Sequence, residues 1–131
     1  MNVRVRILVA DDDEAMRTTV AFTLADDGYD VVEAASGNEV LDIVHAAHGD
    51  TFDLLLMDVR MPGLSGLDTL RRLREDAPAL PVILMTAFAT PDTCDQAKAL
   101  HAPLLSKPFR LDDLRRAAAH TARGAAADVR A

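Results

Sequence analysis

Five short apolar runs constrain this chain more than any other feature: Val5–Ala10, Asp30–Ala34, Phe52–Asp58, Pro81–Thr86 and Pro103–Ser106. Within them, Ile7-Leu8-Val9 and Leu54-Leu55-Leu56-Met57 carry no polar residue at alternate positions. A strand with one face in water alternates apolar and polar residues, whereas a strand covered on both faces reads as a continuous apolar run. These runs therefore belong to a parallel sheet with helices on both sides. The segments between them have helical spacing: Met16, Val20 and Leu24; Val40, Val44 and Ala47; Leu67, Leu70 and Leu73; Leu111, Leu114 and Ala118. The segment before Pro103 is weaker, with Cys94, Ala97 and Leu100 on one face and Cys94 expected to be half-buried and inert.

Local punctuation agrees with these limits. Gly28 follows the first helix as a C-terminal cap signal, and Ser65 precedes the third. Thr90-Pro91-Asp92 reads as N-cap, first-turn proline and first-turn acid of the fourth helix. The pattern is (βα)₅, a doubly wound five-stranded parallel sheet with right-handed crossovers. A chain of 131 residues suits one such domain. Its expected extent is residues 1–124, with the Ala-rich residues 125–131 as a tail or the start of a linker.

Charge and composition narrow the function. Acids outnumber bases 21 to 14, giving a net charge of −7. Nucleic-acid and anionic-membrane surfaces recruit basic faces, so neither is an expected partner. No apolar run approaches the roughly 20 residues of a membrane span. The charged start MNVRVR is not followed by a signal-peptide core, so a cytoplasmic location is expected. A single cysteine, Cys94, makes neither an internal disulfide nor a thiolate metal site.

The polar residues that interrupt the buried strands are the informative ones. The first strand ends in Asp11-Asp12, the third in Asp58 and the fourth in Thr86, while the fifth runs into Lys107-Pro108. In an open α/β sheet, ligands bind outside the carboxyl ends of the strands where the strand order reverses. With the order 2-1-3-4-5, three carboxylates, a hydroxyl and an amine converge there. Any one such Asp is most often a turn or cap residue; their joint occurrence at four strand ends is much harder to explain that way. Clustered carboxylates need a cation, and an oxygen-only donor set selects a hard one, Mg²⁺ or Mn²⁺. Such an ion completes its shell with water and phosphate oxygens, and a lysine and a threonine suit the remaining phosphoryl oxygens. The pattern points to phosphoryl transfer with an Asp oxygen as nucleophile, and Asp58 is central among the candidates.

The stretches ILVADDDEAMR, FDLLLMDVRMPGLSG, PVILMTA and LLSKPF, in that order, resemble the receiver domain of two-component response regulators. The resemblance covers about residues 5 to 120 and implies the flavodoxin-like receiver fold. It implies Asp58 as phosphoacceptor, charged by a sensor histidine kinase or a phosphotransfer protein. It further implies Asp12 as a direct Mg²⁺ ligand, Asp11 acting mainly through water, and the backbone carbonyl of Arg60 as a ligand. Thr86 would bind a phosphoryl oxygen and shift on activation, and Lys107 would pair with the phosphoryl charge. The Lys107-Pro108 bond matches a step that is often cis in the family. The output face would be formed by the fourth helix, fifth strand and fifth helix, contacting a downstream protein or an effector domain outside this sequence.

Several positions depart from the family pattern. Leu104 stands where an aromatic switch residue is usual, which puts the read-out in question. His101-Ala102-Pro103 replaces a more usual Gly-Ala-Asp, and the proline suits an edge strand. Asp13 falls at a variable position and is expected to cap the first helix rather than bind metal. Arg60 and Phe88 lie two residues beyond Asp58 and Thr86, at the mouth of the site, where large side chains would restrict an attacking water.

Other signals carry less weight. His45, His48, His101 and His120 are scattered, and Met57, Met61 and Met85 fit core filler. Gly63 and Gly66 fit a loop between the third strand and helix, without a phosphate-cradling GxxxxGK[ST] pattern. Arg71-Arg72-Leu73-Arg74 reads as a solvated helix face neutralised by Glu75 and Asp76. The leading reading is a phospho-accepting signalling module without a turnover substrate. The alternatives are a pseudo-receiver that docks proteins without phosphorylation, and an Asp-nucleophile phosphatase. The latter would carry a DxD strand end, where this chain has Asp58-Val59-Arg60.

Overall fold

The computed structural model describes residues 4–46 and 52–122. Ten elements alternate: β1 (Arg6–Ala10), α1 (Glu14–Asp26), β2 (Asp30–Ala34), α2 (Gly37–Ala46), β3 (Leu54–Asp58), α3 (Gly66–Asp76), β4 (Val82–Thr86), α4 (Pro91–Ala99), β5 (Leu104–Ser106) and α5 (Leu111–Thr121). All strand pairs are parallel, as the run pattern predicts, and the order is β2-β1-β3-β4-β5, the expected flavodoxin-like order. The expected tail at 125–131, His48, and the residue at 47 lie outside the described residues. No described helix is long and apolar enough to cross a membrane.

Strand periodicity divides the apolar runs between two layers. Leu55 and Met57 of β3 join Leu8, Val82 and Leu84 under α2 and α3, where Val40, Val44, Leu70 and Leu73 pack. Leu54 and Leu56 join Ile7, Val9, Ile83 and Met85 beneath α1 and α5, where Val20, Leu24 and Leu114 pack. Each fully buried Leu, Ile or Val contributes roughly 1.5–3 kcal/mol of apolar burial, so the three central strands are the rigid part of the sheet. The edges are weaker: β2 keeps Glu33 exposed, and β5 has three residues with none fully buried. Pro103 precedes β5 and uses only its carbonyl, which accepts from the Leu84 N–H at 2.9 Å.

The caps form where the residues place them. Gly28 adopts φ +98°, and the N–H groups of Gly28 and Tyr29 return to the carbonyls of Ala25 and Leu24 at 3.0 and 3.2 Å. The Ser65 and Thr90 hydroxyls accept from the N–H groups of Asp68 and Thr93, both at 3.1 Å. Asp13 caps α1, accepting from the Met16 N–H at 3.3 Å.

Three expectations need correction. Cys94 is exposed, and Ala97 is the only buried residue of α4. Three residues along a helix turn about 300°, so Cys94 points about 60° away from Ala97, and a helix this polar meets the sheet over one side chain only. In the basic run, Arg71 and Arg72 are exposed but Arg74 is half-buried. Its guanidinium donates to the carbonyls of Leu80 at 2.6 Å and Leu100 at 2.9 Å, and its burial lowers its pKa. These carbonyls lie in connections that lack a ladder partner, and Arg74 supplies it. Nor does Asp76 neutralise the run; it binds His45 of α2 at 2.7 Å, while Arg71 pairs with Asp68. Gly66, lastly, begins α3 rather than lying in the loop, while Gly63 is in the loop at φ +77°.

Candidate functional site

The carboxyl ends of β1, β3 and β4 and the residue after β5 form one edge. Asp11 follows β1 and prolongs its ladder by donating its N–H to the Ala34 carbonyl at 3.1 Å. Asp58 ends β3 and Thr86 ends β4, so buried strands hold both in place. After β1 the chain turns to α1 on one face of the sheet, and after β3 it turns to α3 on the other. The crevice between these departures is the switch point that the strand order creates.

There the structure brings Asp11, Asp12 and Asp58 together, with one carboxylate oxygen of each within 4.8 Å of the others. Asp11 is wholly buried and Asp58 is 7% exposed, whereas Asp12 faces solvent. Lys107 bridges the buried pair: its Nζ donates to Asp11 Oδ2 at 2.9 Å and lies 3.3 Å from Asp58 Oδ1. Asp11 Oδ1 accepts from the Asp13 N–H at 3.0 Å. Burial raises the Asp58 pKa above the usual carboxylate value, helped by the charges of Asp11 and Asp12 and opposed by Lys107. Burial alone would lower the Lys107 pKa, but its hydrogen bond to Asp11 and the charges of Asp58 and Asp11 outweigh that and raise it.

Thr86 is buried, and its Oγ1 accepts the Phe88 N–H at 3.1 Å, which leaves its own hydrogen to donate. Its carbonyl accepts the Lys107 N–H at 2.7 Å, which ties the backbone of Lys107 to the end of β4. The Lys107-Pro108 peptide is cis. The Arg60 guanidinium lies over the Phe88 ring, 5.2 Å from its centroid, and both residues are exposed. Leu104 is half-buried, lies opposite Leu84 in the β4–β5 register and packs against the apolar layer under α2 and α3.

Two residues of the site escaped the reading of the sequence. Gly66 lies against the backbone of Asp58: a Cβ there would stand 2.3 Å from the Asp58 carbonyl oxygen. Its place just after the N-cap Ser65 was the available signal, since a helix start that packs on a strand end needs a small residue. Arg17 donates from Nη1 to the Asp11 carbonyl at 3.0 Å, a contact between turn and helix with no signature in spacing.

The donor set fits a hard divalent cation. Three carboxylate oxygens within 4.8 Å suit an ion about 2.1 Å from each with small side-chain movement, or with water between it and one of them. No thiolate or imidazole belongs to the cluster, which argues against zinc.

Known proteins agree with this architecture. The family model described as the response regulator receiver domain matches residues 7–119. The chain is 38% identical over 113 residues to the response regulator MprA of Mycolicibacterium vanbaalenii, covering 84% of this chain and 47% of that protein. It is 40% identical over 106 residues to the DNA-binding transcriptional regulator NtrC of Klebsiella pneumoniae, covering 80% of this chain and 22% of that one. The chain thus spans half or less of the length of these relatives. Among solved structures, the chemotaxis protein CheY4 of Vibrio cholerae superposes with a TM-score of 0.83 at 30% identity, covering 91% of this chain and 99% of that one. A receiver domain from Clostridium thermocellum gives 0.80 at 33% identity, covering 86% and 90%. With this sheet order, this acidic crevice and these relatives, the chain belongs to the response regulator receiver domain family, the phosphorylation-based module of two-component signalling.

Proposed function

We propose that Asp58 accepts a phosphoryl group from the phosphohistidine of a sensor kinase or phosphotransfer protein, and that the modified domain changes its affinity for a partner. The observation that carries this reading is the position of Asp58: at the end of the central strand, nearly buried, 3.3 Å from Lys107 and within 4.8 Å of two further acids. A carboxylate oxygen of Asp58 attacks phosphorus, the P–N bond breaks, and its electron pair stays on the imidazole nitrogen of the donor. The product is an acyl phosphate. The Thr86 hydroxyl donates to a phosphoryl oxygen, and the Lys107 ammonium offsets the added charge. Asp12, Asp58, the Arg60 carbonyl and, through water, Asp11 would hold Mg²⁺ or Mn²⁺, which neutralises charge on the phosphoryl oxygens when bound.

The domain acts on itself and has no turnover substrate. Its output surface is the face of α4, β5 and α5, read by a downstream protein or by an effector domain. Leu104 favours a second reading, a docking module that works without phosphorylation, because no ring at that position reports on Thr86. One experiment separates the two: intact mass after incubation with acetyl phosphate and Mg²⁺, for the wild type and Asp58→Asn. Wild-type protein gains one phosphoryl mass and Asp58→Asn gains none. A gain that survives the substitution overturns Asp58 as acceptor, and no gain in either overturns the phospho-accepting reading.

A further inference from the structure

Arg17 sits in the first half of α1 and turns its guanidinium back to the end of β1. Nη1 donates to the Asp11 carbonyl at 3.0 Å, and Nε donates to Glu33 Oε1 of β2, also at 3.0 Å. The side chain is 17% exposed. A planar fork held at two of its nitrogens has little freedom left, so the guanidinium is a fixed point between α1, β1 and β2.

The carbonyl it holds belongs to the peptide joining Asp11 to Asp12. That peptide lies past the last β1 ladder pairs, Ala10 with Ala34 and Ala10 with Met57. The two acids on either side of it are held very differently. The Asp11 carboxylate is tied at both oxygens, by the Asp13 N–H and by Lys107. Asp12 is exposed, and no described residue binds its carboxylate. The peptide plane that precedes Asp12 places its N–Cα bond, and so the point from which the side chain starts, while the side chain's own torsions stay free to meet a ligand.

We infer that Arg17 is a positioning residue for cation binding: by fixing the Asp11–Asp12 peptide plane, it holds the backbone from which the Asp12 side chain reaches the cluster. The inference rests on the proposed cation site. Partners that orient metal ligands from one shell out typically change affinity 10–100-fold when removed. Charge alone acts in the opposite sense, because deleting a cation beside three acids strengthens binding of a divalent ion. Positioning and electrostatics thus predict opposite signs for the same substitution.

The test is Mn²⁺ affinity of the 131-residue chain, followed by the electron paramagnetic resonance of free Mn²⁺, with the cation-free urea midpoint measured beside it. Arg17→Ala is expected to bind Mn²⁺ roughly 10–100-fold more weakly. Arg17→Lys keeps the charge but loses the fork, and is expected to lose about threefold or more. A merely structural role lowers the urea midpoint and leaves the affinity of the folded protein unchanged, and that result, or tighter binding by Arg17→Ala, overturns the inference. Should Arg17→Ala not fold, wild-type affinity in Arg17→Lys overturns it instead. Asp12→Asn separates the two levels. If it binds Mn²⁺ like the wild type, the cation site itself is wrong and the inference falls with it. If it alone binds weakly, only the role of Arg17 falls.

Discussion

Lys107 lies closer to Asp11 than to Asp58, with its Nζ 2.9 Å from the first carboxylate and 3.3 Å from the second. The ammonium occupies the acid cluster from the inside and balances one of its three negative charges. A divalent cation bound at the proposed site would meet a competitor already in place.

Lys107→Ala should therefore have two effects of opposite sign. Without cation it leaves Asp11, which is wholly buried, without its counter-charge, lowering stability by about 2–3 kcal/mol. With cation it removes the competitor, so Mn²⁺ binds more tightly and restores much of the loss. Urea unfolding with and without Mg²⁺, together with calorimetric Mn²⁺ titration, measures both. Weaker Mn²⁺ binding would contradict the competition.

Asp58 sets a pH dependence. Its pKa is raised, first by burial and then by the neighbouring acids, so the folded protein holds this proton more firmly than the unfolded chain does. Its contribution to stability is complete below the ordinary carboxylate value and is lost as pH rises through the raised one. Asp58→Asn should thus be more stable than the wild type at neutral pH in cation-free buffer, by on the order of 1 kcal/mol. The difference should shrink as pH falls below the usual Asp range, and shrink again on adding Mg²⁺. Thermal melts of both proteins across pH check the sign; a wild type that is the more stable at pH 7 without cation would refute it.

Gly66→Ala should be costly at a distance from any ligand. Its Cβ would stand 2.3 Å from the Asp58 carbonyl oxygen and 3.0 Å from the Val59 Cα, both backbone atoms that yield only if β3 or α3 shifts. Overpacking of this kind costs about 1–3 kcal/mol, and here the shift also moves Asp58, the proposed phosphoacceptor. A lowered urea midpoint together with slower phosphorylation by acetyl phosphate is expected. Gly63→Ala, in open space but at φ +77°, should lower stability without slowing phosphorylation.

Much of this was legible in the residues, for physical reasons that can be named. Leu54-Leu55-Leu56-Met57 could only be a strand covered on both faces, and the residue that ends it, Asp58, is exposed to the crevice by the strand's own termination. Gly28, Ser65 and Thr90 act within a few residues of themselves, so their caps were readable. The relationships that were not readable join distant segments. Lys107 and Asp11 are 96 residues apart, and nothing in the spacing says which acid the lysine prefers. Arg74 looked solvated because its neighbours in sequence are charged; its partners in space are carbonyls of Leu80 and Leu100. Cys94 looked half-buried because a three-residue stripe was read as a face.

Arg60 and Phe88 make the last prediction. The guanidinium–ring contact at 5.2 Å joins the residues two positions beyond Asp58 and Thr86, where it would restrict water approaching a phosphorylated Asp58. Cation–π contacts at exposed sites are worth about 0.5–1 kcal/mol, so loss of either partner should speed dephosphorylation about two- to fivefold. Decay of the phosphorylated form of Arg60→Ala and Phe88→Ala, followed by mass, tests it. Rates equal to the wild type would remove both residues from any role in the lifetime.

Helix α4 is attached unlike its neighbours. It buries Ala97 alone, and α3 holds it by hydrogen bonds, Arg71 to Gln96 along its flank and Arg74 to the Leu100 carbonyl at its end. Each such bond is worth roughly 1 kcal/mol net, while dislodging a core leucine costs several times that. The sheet and its other helices form a frame, and α4 is the slack in it. Thr86 ends its strand four residues before the N-cap Thr90, so a small rotation at the site reaches the near end of α4 directly. With its far end tied to Arg74, the helix would act as a lever on a hinge if the proposed phosphorylation rotated Thr86, turning a change of a few atoms into a larger displacement.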